Sequence, residues 1–92
     1  MENELDNEIR LGLACLSNKF RMSIFQRINS EGKMKYSDIK EYNTKNKTKL
    51  YNHTYYLIKR NILKSSYDEN GDMYIEINKD FIDRMIEYIK QG

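Results

Sequence analysis

A chain of 92 residues with 39% hydrophobic content and a net charge of +2 fits one small globular domain, with a core modest enough to gain from a second copy. It holds no apolar run of the roughly 18–20 residues a membrane span needs, and its acidic start lacks the basic-then-apolar order of a signal peptide, so a cytoplasmic protein is expected. One cysteine (Cys15) and one histidine (His53) exclude an intrachain disulfide and a thiolate–imidazole metal site within one chain.

The elements follow from apolar spacing. Leu5, Ile9, Leu13 and Leu16 recur at helical intervals, with Leu11 adding width, and predict a first helix over 5–16. Gly12 is a poor helix former there, best tolerated where another helix comes close. Ser17 or Asn18 offers an N-cap to a second helix over 19–29, whose apolar face is Phe20, Ile24, Phe25 and Ile28 and whose stop is Glu31-Gly32. Lys33–Tyr36 alternates as a short strand or extended link. Ser37 is read as the cap of a third helix of one to two turns, through Tyr42, and 43–47 as a polar turn.

A fourth helix is expected from about 47 to 60, capped by Asn46 or Thr48. Its inward stripe is Leu50, Thr54, Leu57 and Ile58, and Asn61 takes the left-handed position at its end. Strands at 62–67 and 73–77 flank DENGD, where Asn70-Gly71 is a strong hairpin signal. Asn78 caps a last helix with Phe81, Ile82, Met85, Ile86 and Ile89 on one broad apolar face.

Charge is unevenly placed along this order. Residues 1–17 hold four acids against Arg10, a net of −3; residues 18–64 hold twelve Lys and Arg against three acids, a net of +9; residues 65–92 hold seven acids against three bases, a net of −4. A basic middle between acidic ends suits a middle that meets phosphates. A lone His, a lone Cys and no paired acids in an apolar setting give no nucleophile–base pair, and no Gly-rich phosphate loop is present, so no enzyme activity and no cofactor are expected.

Several stretches resemble the winged helix-turn-helix repressors, the ArsR-like branch in particular, over roughly residues 8–89. Leu16-Ser17-Asn18-Lys19-Phe20-Arg21 is similar to that group's entry to its second helix, and Tyr36-Ser37-Asp38-Ile39 to the start of the helix-turn-helix. Asn52-His53-Thr54-Tyr55-Tyr56-Leu57 followed by Asn61-Ile62-Leu63 resembles the family's S-x-H-L-x-x-L and G-L-V. Thr54 stands where the family usually has Leu. The cysteine pair of the metal-sensing members is absent, so no metal is expected. The resemblance implies a mostly helical α+β winged fold, with a recognition helix at about 47–60 and a β-hairpin wing.

As a duplex reader, the chain would use Ser37, Lys45, Lys47, Thr48, Lys49, Tyr51, Asn52, Tyr55 and Lys64. Lysines contact phosphates, Asn52 pairs with adenine, and the tyrosines offer a hydroxyl to phosphate and a ring to a thymine methyl. No Arg lies between residues 28 and 59, which points to an A·T-rich site. The acidic 68–72 tip would repel phosphates. His53 is expected to be a packed or capping residue.

The terminal helices suggest a homodimer through Leu5, Ile9, Leu13, Cys15, Phe81, Ile82, Met85, Ile86 and Ile89, reading a palindrome. Cys15 is then either a buried small apolar residue or one half of an intersubunit disulfide. Two other readings use the same scaffold: a protein-interaction module, and a non-specific architectural DNA-binding protein.

Overall fold

Asn18 sets the first corner of the chain. Its backbone is extended, and its Oδ1 accepts hydrogen bonds from the N–H groups of Phe20 (2.9 Å) and Arg21 (3.1 Å), meeting two of the donors a helix start leaves open. A computed structural model of the protein describes residues 4–42 and 47–91, with the side chains of 40–42, 47 and 48 outside the description. Before the corner lies α1 (Glu4–Leu16), after it α2 (Lys19–Glu31). Gly32 closes α2 at φ 83°, a conformation costly for any residue with a Cβ, and donates its N–H to Ile28 O at 2.8 Å.

β1 (Met34–Lys35) then runs directly into α3 (Tyr36–Tyr42). Ser37 is therefore not a cap but an exposed residue inside the first turn. Sheet pairing of Met34 with Ile75 and Lys35 with Tyr74 holds the strand up to the residue before the helix, leaving no separate capping position. α4 (Lys47–Lys59) begins where expected, but Thr48 is already helical and so is not its cap, and Asn46, the other proposed cap, lies outside the described residues.

The exit of α4 is closed by two backbone bonds. Asn61 N–H donates to Ile58 O and Ile62 N–H to Leu57 O, each at 3.0 Å, with Asn61 at φ 66°. This is the Schellman arrangement, and the buried pair Leu57 and Ile62 supplies its apolar contact. The left-handed turn expected at Asn61 is present.

β2 (Leu63–Tyr67) and β3 (Met73–Ile77) form an antiparallel hairpin, and β1 adds to the other edge of β3, giving the order β1-β3-β2. The connecting loop is wider than a two-residue Asn-Gly turn. Gly71 N–H donates to Asp68 O, only Gly71 of the pair has positive φ (80°), and Asp68 Oδ1 accepts from both Asn70 N–H (2.9 Å) and Asp72 N–H (3.0 Å). The Asp68 carboxylate organises the loop, and a turn followed by a left-handed glycine results.

α5 (Lys79–Gln91) starts where Asn78 N–H donates to Ile62 O, which ties the last helix to the exit of α4. The fold is thus a mostly helical α+β arrangement, five helices and a three-stranded antiparallel sheet among the described residues. None of the described helices is long and apolar enough to cross a membrane.

The core forms where α2 and α4 cover the sheet and α1 lies across α2, α4 and α5. Ile28, Leu50, Leu57, Ile62, Leu63 and Ile75 are at its centre. Gly12 sits where α1 meets α5: a Cβ there would lie 3.2 Å from Ile62 Cδ1, 3.5 Å from Phe81 Cζ and 3.6 Å from Met85 Sδ. Gly12→Leu is expected to destabilise by about 1–3 kcal/mol through overpacking, read as a lower urea midpoint at unchanged slope. An unchanged midpoint would mean the two helices do not meet there.

This packing corrects four of the dimer residues expected from the sequence. Ile9, Cys15, Phe81 and Met85 are buried within the one chain, because α1 and α5 pack on each other and on Ile62. Leu13 and Ile82 are half-buried against the same core. Leu5, Ile86 and Ile89 remain exposed. Burial pushes the Cys15 thiol pKa up, against the pull of Arg21 and Arg60, so this sulfur is held protonated and enclosed.

Candidate nucleic-acid interface

α4 divides its residues between two sides. Leu50, Thr54 and Leu57 fall on one face, each at most 1% exposed, with Ile58 half-buried beside them. Successive residues turn by roughly 100°, so Lys49, Tyr51, Asn52 and Tyr55 point away from that face. All four are exposed, Tyr51 at 53% and Tyr55 at 56%. Four of the sequence-predicted residues therefore lie together on one outward surface. The side chains of Lys47 and Thr48 and the whole of Lys45 lie outside the described residues.

The two tyrosines are held by rings. Tyr51 stacks on Tyr55 with centroids 6.3 Å apart and planes at 12°, and Tyr36 of α3 meets Tyr51 edge-on at 6.4 Å and 88°. Burial, then the neighbouring Tyr51, pushes the Tyr36 hydroxyl pKa up. The α3–α4 pair thus carries an aromatic cluster with Asn52 and Lys49 on the same outer side.

A second cluster went unseen in the sequence. The Arg21 guanidinium donates from Nε to Cys15 O at 2.7 Å, lies 3.4 Å from His53 Nδ1, and sits 4.8 Å from the Tyr56 ring centre. Arg60 approaches the same ring at 5.2 Å, so Tyr56 is contacted by two cations. Helical spacing marks Tyr56 as off the inward stripe, but nothing local to it announces partners on α2 and at the helix end.

His53 packs at 5.0 Å from Phe20 and is a structural histidine here, as its sequence context suggested. Since Arg21 can only donate, Nδ1 accepts, which favours the neutral ring. Burial first, then Arg21 and Lys49, lowers the His53 pKa below its ordinary value. Above about pH 7.5, a unit over the unfolded pKa, the ring is neutral folded or unfolded and adds no pH dependence. Below that, the unfolded chain takes up a proton before the folded one does, so stability falls until the lowered folded pKa is reached. Melting temperature should drop between about pH 7.5 and 5.5, and His53→Gln should flatten the drop. An equal drop in the variant would place its cause elsewhere.

The sheet lysines are engaged. Lys64 Nζ lies 3.3 Å from Glu76 Oε1, its direct cross-strand partner, and Lys35 Nζ lies 3.2 Å from Asp72 Oδ2. The hydrogen bond to Asp72 raises the Lys35 pKa. Lys33 stands 5.6 Å over the Tyr74 ring. The acids at the hairpin tip are similarly occupied, Asp68 within its own loop and Asp72 with Lys35, while Glu69 is exposed. Among the described residues, no three His, Cys, Asp or Glu side chains converge in a way that would hold a metal. Comparison with models of known protein families and with curated proteins gives no match to this chain.

Proposed function

We propose that this chain is a winged helix-turn-helix transcriptional regulator of the ArsR-like kind, binding double-stranded DNA as a homodimer. In this reading α3 and α4 form the helix-turn-helix, α4 is the recognition helix, and the β2–β3 hairpin is the wing. The observation that carries it is the two-sided α4. Its inner stripe is fixed in the core, while Lys49, Tyr51, Asn52 and Tyr55 form an exposed polar and aromatic face beside the most basic part of the chain.

Such a helix enters the major groove with its first turns toward the bases. Asn52 supplies a carbonyl and an amide that match adenine N6 and N7. Tyr51 and Tyr55 reach thymine methyls or phosphates, and Lys49 a phosphate, joined by Lys45, Lys47 and Thr48 at the helix start. Backbone N–H groups in the first turn of α3, around Ser37, offer a phosphate a further hold. Lys64 joins only by exchanging Glu76 for a phosphate. An exposed pair of this kind is worth roughly 0–1 kcal/mol, so the exchange costs little. The wing tip has no basic residue to offer and takes little part.

α1 and α5 leave Leu5, Ile86 and Ile89 exposed as apolar side chains for dimer contact, with Leu13 and Ile82 half-buried. Selection of binding sites from a random duplex library tests the whole reading. A palindromic A·T-rich consensus is the expected result. Recovery of no consensus would favour a non-specific architectural protein, and recovery of no duplex a protein-interaction module. A monomer in sedimentation at micromolar concentration would remove the dimer.

A further inference from the structure

Between α4 and the β2–β3 hairpin lies a cavity of about 150 Å³. Its lining includes Tyr36, Tyr51, Thr54, Ile58, Tyr67 and Met73, and no lining residue is charged. Thr54 is 1% exposed, and its Oγ1 has no hydrogen-bond partner among the described residues. A buried hydroxyl without a partner is costly, and mid-helix threonines commonly avoid the cost by bonding back to the preceding turn. Tyr55 and Ser65 complete the lining, so the wall is mostly rings and aliphatic groups, and Thr54 Oγ1 is the buried polar atom in it that lacks a partner.

We propose that this cavity is a binding site for a small uncharged aromatic molecule, one ring in size, whose single hydroxyl pairs with Thr54 Oγ1. Three features select that chemistry. An apolar cavity on the order of 150 Å³ holds one benzene-sized ring. The walls present the faces and edges of Tyr36, Tyr51 and Tyr67 and the sulfur of Met73, all of which favour an aromatic guest. A wall without charge gives no compensation for desolvating an ionised group, so a carboxylate or ammonium is disfavoured. The site shares Tyr51 and Tyr55 with the proposed duplex-reading face, but it requires only the α4–hairpin geometry and is tested without DNA.

Methyl-resolved NMR of the full chain, titrated with phenol, toluene and benzoate, tests this. Phenol should shift the Thr54, Ile58 and Met73 methyl signals saturably, with a dissociation constant on the order of 1 mM, as expected for so few ligand atoms. Benzoate should bind at least about tenfold more weakly, by the desolvation argument. Thr54→Val should weaken phenol roughly fivefold and leave toluene unchanged. Tyr67→Ala, an exposed position whose loss leaves the core intact, should weaken both rings. No saturable shift at those three methyls with either phenol or toluene overturns the proposal. So does benzoate binding equal to phenol, or phenol binding that is indifferent to Thr54→Val.

Discussion

Replacing Lys49, Tyr51, Asn52 and Tyr55 together by alanine is expected to lower duplex affinity by on the order of 100-fold or more while leaving the fold intact. Loss of a bidentate Asn–adenine pair alone amounts to about 1–3 kcal/mol, and each 1.4 kcal/mol is roughly tenfold. Losing a lysine–phosphate contact and two tyrosine contacts adds to that. The folded state loses far less. All four side chains are exposed, and the stacked Tyr51–Tyr55 pair is worth about 0.5–1.5 kcal/mol. Alanine's better helix propensity offsets a few tenths of a kcal/mol at each position. Anisotropy of a labelled duplex and a thermal melt by circular dichroism read the two quantities separately. Full binding by the quadruple variant would remove α4 as the reading element.

On the inner face of the same helix, Leu57→Ala should cost about 2–5 kcal/mol. Leu57 is fully buried, and its carbonyl closes the helix by accepting from Ile62 N–H. A 92-residue domain has a total stability of only about 5–14 kcal/mol, so this one truncation uses much of it. One turn earlier the sign reverses. Thr54→Val preserves shape and removes an unpartnered buried hydroxyl, so a gain of about 1 kcal/mol is expected. Urea unfolding of both variants checks the pair. A Thr54→Val chain less stable than the parent would mean that the hydroxyl has a partner in solution.

What could be read in advance was mostly periodicity and turn chemistry. The spacing of Leu50, Thr54 and Leu57 gave the buried side of α4, and all three are at the core. Asn61 was legible because few residues other than glycine accept a left-handed turn, and Gly32 because it follows the last apolar residue of α2. Boundaries failed where tertiary pairing decided them. Ser37 has the chemistry of a cap, but pairing of Met34 and Lys35 with β3 carries the strand to the edge of the helix.

The engagement of Lys64 was invisible for a related reason. Facing Glu76 depends on hairpin register, which strand bounds and turn residues alone leave open. Helical spacing marks the apolar faces of α1 and α5, but periodicity does not say what covers them. Close approach across Gly12 sends Ile9, Cys15, Phe81 and Met85 into the chain's own core. The contacts of Arg21 with His53 and Tyr56 join residues far apart in the chain, and no local pattern encodes them.

In the proposed function, the basic middle of the chain grips a duplex through α4 and its neighbouring lysines. The most direct measurement is the equilibrium affinity for a labelled A·T-rich duplex across a salt series from about 50 to 300 mM. Each phosphate neutralised contributes a slope of about −0.9 in log K against log salt. A slope of about −3 or steeper is predicted, with tight binding at the low end. No binding at about 50 mM, or binding that does not change with salt, would contradict the account.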